Sequence, residues 1–128
     1  MQDSIQLTSS EWKVLECLWE ESPQTVMQLV AQLSKRAGWA KSTTITTLRR
    51  MESKGLVCCT TDGKAKHYTP AVEQERAVVQ ETRSFLNRVY RGSVGLMMSA
   101  MAERQELSKE DIAELYEILR RAEGDHDA

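Results

Sequence analysis

The sequence predicts a mostly α-helical chain that carries one small β-hairpin. Three observations predict it. Apolar residues recur at helical spacing through most of the chain. A serine or threonine stands three residues ahead of a glutamate, glutamine or aspartate at Thr8, Thr25 and Ser108, the spacing that caps helix starts. One short β-branched segment, "LVCCTTDGKAKHYTP", breaks the helical pattern and holds Asp62-Gly63 at its middle, a hairpin signal.

The first helix begins with Thr8 and Glu11. Trp12, Leu15, Leu18 and Trp19, with Val14 beside them, share one side of a helix over about 9–21, and Ser22-Pro23 ends it. Thr25 and Gln28 start a second helix whose stripe is Val26, Leu29, Val30 and Leu33, and Gly38 is placed to close it. The third helix runs from Lys41 or Ser42 to Lys54, with Gly55 as its stop. Strands follow at about 56–61 and 65–69, the second closed by Pro70. Three helices and a hairpin in this order make a winged helix-turn-helix, with Lys64 at the wing tip and Lys66 behind it.

From Val72 onward the pattern is helical again. Val78, Val79, Phe85, Leu86, Val89 and Tyr90 line a long helix that stops near Gly92. "VGLMMSAMAE" gives a short apolar helix over about 94–103. The last helix starts at Ser108 and carries Ile112, Leu115, Tyr116, Ile118 and Leu119 to about Ala122. The expected organisation is a winged-helix domain over 5–70, a helical dimerisation region over 71–123, and a disordered tail over 124–128. The segment after 71 has three apolar stripes but is too short to enclose a core alone. It must pack back on the winged helix or on a partner, and twofold pairing with a second chain, the commonest solution, is expected.

The 128 residues suit one small domain with an extension, and 41% hydrophobic with 28% charged residues reads as globular. "MQDSIQLTSSEW" has neither the basic start nor the apolar core of a secretory signal. No apolar run approaches the roughly 18 residues of a membrane span. A cytoplasmic location without membrane insertion is expected. The net charge of −2 conceals an asymmetry: residues 35–66 hold eight basic and two acidic side chains, between flanks that are each net acidic. A basic middle segment on an acidic body points to a polyanionic partner.

The third helix contains "STTITT", an unusual density of poor helix formers. Turned at about 100° per residue, it places Ile45 and Leu48 on one side with Thr44 and Met51 flanking them. Thr43, Thr46, Thr47 and Arg50 fall on the other side, which is expected to be exposed. Threonine hydroxyls reach phosphates or base edges, their methyls touch the thymine methyl, and arginine binds guanine or clamps a phosphate. The expected partner is double-stranded DNA. Ser42, Thr43, Thr46, Thr47 and Arg50 are the candidate base or phosphate contacts. Lys41, Arg49 and Lys54 are candidate phosphate contacts on the same helix, and Lys64 and Lys66 are candidate backbone contacts from the wing.

"LTSSEWKVLECLWE", "TVMQLVAQL", "WAKSTTITTLRRMESKGLV", "KHYTP" and "FLNRVYRGSVGLMMSAMAERQELSKEDIAELYEIL" together resemble the penicillinase-repressor family (BlaI and MecI, with the copper-responsive CopY branch) over about residues 5–121. The resemblance implies a homodimeric transcriptional repressor tied to regulation of antibiotic resistance. Its winged helix would bind an operator half-site and its C-terminal helices would interlock two chains. A pseudo-palindromic operator, with half-sites about one helical turn or a small multiple apart, follows from that geometry. In the penicillinase branch, release comes from cleavage in the dimerisation region by a membrane sensor metalloprotease. By that resemblance the matching segment here is "MMSAMAERQ" and the bond would lie near Ala100-Met101, where alanine and methionine stand in place of the asparagine and aromatic residue of the best-known members.

Catalysis finds no support: the chain has no Gly-rich phosphate loop, no His-Glu-x-x-His, and no nucleophile with an evident base. No cofactor or metal site is expected. Cys58 and Cys59 are adjacent on a strand and point to opposite faces, Cys17 falls within the first helix, and the C-terminus lacks the paired cysteines of the copper branch. His67 and His126 have no partner at metal-ligand spacing. Two alternatives stand beside the repressor reading: a winged-helix module that binds protein instead of DNA, and a metal- or redox-responsive repressor.

Overall fold

A computed structural model of the chain describes residues 6–127. The first residue of the expected 5–70 domain, the opening residues read against a secretory signal and the last residue of the expected tail lie outside the described residues. The elements are α1 (Ser9–Glu20), β1 (Gln24–Thr25), α2 (Val26–Ala37), α3 (Lys41–Lys54), β2 (Val57–Asp62), β3 (Ala65–Pro70), α4 (Gln74–Tyr90), α5 (Val94–Glu103) and α6 (Lys109–Asp127). The chain divides into two compact units, Met1–Glu81 and Thr82–Ala128.

Capping fixes the helix starts of the first unit. Thr8 Oγ1 accepts the Glu11 N–H at 3.1 Å while Glu11 Oε1 accepts the Thr8 N–H at 2.9 Å. Thr25 and Gln28 repeat the exchange at 3.2 and 2.8 Å. Each box satisfies two backbone donors that the first helical turn would leave unpaired. Gly55 closes α3 at φ +77°, in the left-handed region where a side chain would be strained.

The helices pack their apolar stripes on one core of Val14, Leu15, Leu18, Leu29, Leu33, Leu48 and Met51, joined by Leu56, Val57 and Tyr68 from the hairpin side. Each large side chain buried there contributes about 1.5–3 kcal/mol relative to exposure. Trp12 and Trp19 meet edge to face at 5.3 Å, and Trp19 Nε1 donates to the Val72 carbonyl at 2.9 Å. The β3 exit is thereby tied to α1.

The hairpin belongs to a three-stranded antiparallel sheet in the order β1-β3-β2. Asp62 pairs with Ala65, so the two-residue loop is Gly63-Lys64, and Gly63 takes φ +68°. Glycine at the first loop position is what such a tight turn demands. β1 is only two residues long and pairs Gln24 with Tyr68 and Thr25 with His67. Nothing in its sequence pattern marked it as a strand.

The second unit, considered alone, holds the end of α4 with α5 and α6. None of its described side chains is buried. Phe85, Leu96, Tyr116 and Leu119 are 42, 53, 64 and 62% exposed. An apolar groove of about 610 Å3 runs between α5 and α6, with Met98, Leu115 and Leu119 among its lining residues. The final helix continues to Asp127, past the expected end near Ala122 and through most of the segment expected to be a disordered tail. The reason is local: the lone Gly124 costs about 1 kcal/mol relative to alanine, and residues 125–127 include no proline to stop the helix.

Candidate nucleic-acid interface

The burial pattern of α3 corrects the sequence expectation at one position. Thr47 is 3% exposed and lies on the buried side with Thr44, Leu48 and Met51, while Ile45 is half-buried. Positions 44, 47, 48 and 51 follow the i, i+3, i+4, i+7 rule of a core-facing stripe. Hydropathy alone centres the stripe on Ile45. The fold instead buries two threonines, Thr44 and Thr47. Thr47 Oγ1 donates to the Thr43 carbonyl at 2.7 Å, one turn back, which removes the cost of burying that hydroxyl. Thr44 Oγ1 is buried with no hydrogen-bond partner among the described residues.

The exposed face is therefore Lys41, Ser42, Thr43, Thr46, Arg49 and Arg50. The residue before the helix, Ala40, offers no side-chain cap, and the first turn has no acidic residue. Its backbone amides carry a positive partial charge that Lys41 reinforces, a setting that favours an anion. Ser42, Thr43, Thr46, Thr47 and Arg50 surround a shallow polar depression of about 310 Å3 together with Ser10 of α1. Ser10 escapes sequence reasoning because it is one more hydroxyl in a helix start. Only the packing of α1 on α3 brings it there.

Two cations of α3 meet a buried carboxylate. Glu11 is fully buried, and Lys54 Nζ lies 2.8 Å from its Oε2 and 3.0 Å from its Oε1. Arg50 Nε stands 3.6 Å from Oε2. Burial alone would raise the Glu11 pKa, but the Lys54 and Thr8 hydrogen bonds and the nearby Lys54 and Arg50 charges hold it below the usual carboxylate value of 4.5. Lys54, a candidate phosphate contact from sequence, thus has its ammonium paired with a buried carboxylate while its side chain stays 40% exposed. The carboxylate and Lys54 are 43 positions apart in sequence, so no local pattern could have announced the pair.

On the wing, Lys64 and Lys66 are exposed, Lys64 in the turn and Lys66 opposite Thr61. Cys58 is exposed while Cys59 packs against the core, as strand alternation requires. Tyr68, opposite Cys59, has its phenol pushed up to about 12 by burial and by the neighbouring thiol. Burial likewise raises the Cys17 thiol, with the nearby Arg36 charge opposing it. Among the described residues no group of three His, Cys, Asp or Glu side chains is placed to hold a metal ion. No helix among them is long and apolar enough to cross a membrane. Ala100 and Met101 lie within α5, both half-buried.

Three helices, a three-stranded sheet and a basic hydroxyl-rich third helix define the winged helix-turn-helix class. Within that class, the family model described as "Penicillinase repressor" matches residues 7–121, and the chain belongs to that family. It is 32% identical over 114 residues to the penicillinase repressor of Bacillus licheniformis, covering 89% of each chain. It is 25% identical over 116 residues to the methicillin resistance regulatory protein MecI of Mammaliicoccus sciuri, covering 91% of this chain and 94% of that one. Among solved structures it is similar to the monomeric form of Bacillus licheniformis BlaI in complex with the blaP half-operator. That match has TM-score 0.52 and 26% identity, and covers 59% of this chain and 93% of that one.

Proposed function

We propose that the chain is a dimeric transcriptional repressor that occupies a pseudo-palindromic operator in the cytoplasm. The observation that carries this reading is the division of α3: one face is locked in the core, and the other presents Ser42, Thr43, Thr46, Arg49 and Arg50 without apolar cover. Such a helix enters a major groove, where the threonines and Arg50 meet base edges or phosphates and Arg49 and Lys41 meet phosphates. Lys64 and Lys66 hold the DNA backbone from the wing. Thr47 leaves the contact set because its hydroxyl is spent on Thr43. The likeness of the winged unit to a half-operator complex supports the same assignment.

A second copy of the chain covers the exposed apolar side chains of the Thr82–Ala128 unit, which otherwise has no buried residue among those described. Two winged units joined in this way read two half-sites. Release by a membrane sensor metalloprotease acting at Ala100-Met101 completes the reading. That bond sits inside a helix, so cleavage requires α5 to unwind locally.

The test is fluorescence anisotropy of the full chain on a labelled duplex recovered by the protein from a randomised pool. Tight, sequence-selective binding that weakens steeply with salt is expected, because phosphate contacts release counterions. An absence of binding at low salt overturns the reading in favour of a protein-binding winged helix.

A further inference from the structure

We propose that Glu11 is a positioning residue for operator recognition: its buried carboxylate withdraws Lys54 from the phosphate-facing set and holds Arg50 at the hydroxyl-lined depression between α1 and α3. The proposal rests on the DNA-binding reading above and adds to it a division of labour among the cations of α3.

The geometry supports the division at each contact. Lys54 Nζ reaches both oxygens of Glu11, at 2.8 and 3.0 Å. Two of its three N–H donors are engaged there and its charge is offset by the carboxylate, although its side chain is 40% exposed. Arg50 meets the same carboxylate at the longer distance of 3.6 Å, Nε to Oε2, an ion pair without a hydrogen bond, and its side chain stays half exposed. A guanidinium has five N–H donors, so an Nε contact leaves the terminal groups able to form a two-pronged contact with a guanine or a phosphate. Arg50 also borders the depression shared by Ser10, Ser42, Thr43, Thr46 and Thr47. The carboxylate is itself anchored, because its Oε1 accepts the Thr8 N–H at 2.9 Å at the start of α1. The capping box of α1 therefore doubles as the fixed point from which Arg50 is aimed. Arginine loses less rotamer freedom on binding when it is held beforehand, and that favours discrimination over simple attraction.

Glu11→Gln separates this role from a purely structural one. Glutamine still accepts the Thr8 N–H, as Gln28 does for Thr25, but it carries no charge. The probe is the duplex recovered by the wild-type chain, with its single-base variants, titrated by anisotropy over a salt series. Release of Lys54 is expected to steepen the log–log salt slope by about 0.9 for one additional phosphate contact. Release of Arg50 is expected to flatten the preference at the base pair whose identity matters only when Arg50 is present. Lys54→Gln, which keeps a donor for Glu11, is expected to leave the wild-type slope unchanged. A folded Glu11→Gln with wild-type slope and base preference overturns the proposal. A Lys54→Gln whose slope falls by about 0.9 also overturns it, and this second variant decides the matter if Glu11→Gln does not fold. A wild-type chain that recovers no duplex overturns the DNA-binding reading itself; failure of the Glu11 role with a selective wild type leaves that reading intact.

Discussion

Thr46 and Thr47 are adjacent and chemically identical, yet the fold gives them opposite fates. Valine at each position tests this assignment. Thr47 is 3% exposed, and valine keeps its branched shape, so no cavity opens. The substitution removes the hydroxyl bond to the Thr43 carbonyl, worth about 0.5–1.5 kcal/mol net. It adds a buried methyl worth about 0.8 kcal/mol. The two nearly cancel, so stability should change by less than about 1 kcal/mol. DNA affinity should stay within about twofold, because the lost hydroxyl was already spent on its own helix. Thr46 is exposed and supports no core contact. Thr46→Val should leave stability unchanged and cost about 1 kcal/mol of binding, about fivefold in Kd, for one lost hydrogen bond to DNA. Urea denaturation by circular dichroism and anisotropy on the selected duplex, run on the same preparations, read both quantities. If Thr47→Val weakens DNA binding as much as Thr46→Val, the assignment of Thr47 to the core side is refuted.

Arg50→Ala should cost about 1–3 kcal/mol and relax preference at one base pair, whereas Lys64→Ala should weaken binding evenly across sequences; anisotropy on a panel of single-base variants distinguishes them. Leu119 is 62% exposed in the single chain, so Leu119→Asp should not unfold it. It should weaken dimerisation by about 1.5–3 kcal/mol, seen as a monomer shift in sedimentation at micromolar concentration. Glu11 has a lowered folded pKa, so its contribution to stability is present above the ordinary carboxylate value and is lost as pH falls through the folded pKa. Thermal melts over about pH 3 to 7 should show that loss in the wild type and a shallower acid decline in Glu11→Gln.

Much of the first unit is legible in the sequence because its signals are local. Thr8 with Glu11 and Thr25 with Gln28 start the first two helices through bonds three residues long, and Gly55 and Gly63 mark places where the chain must turn left-handed. The face of α3 is less legible. Hydropathy ranks isoleucine above threonine, but a threonine whose hydroxyl bonds back to its own helix packs like valine. The Glu11–Lys54–Arg50 cluster and the approach of Ser10 depend on how α1 crosses α3, which no spacing rule encodes. β1 is a strand only because β3 lies beside it. In the second unit the stripes are legible, but Phe85, Leu96 and Leu119 stay exposed.

An amide-resolved NMR titration of the full chain with the selected duplex tests the central claim most directly. The account predicts that the largest shifts fall on Lys41–Arg50 and on the Gly63-Lys64 turn extending to Lys66. Saturation at stoichiometric duplex, with the amides of Leu29 and Leu33 little moved, completes that expectation. Shifts confined to residues beyond Thr82, or none along α3, would contradict it.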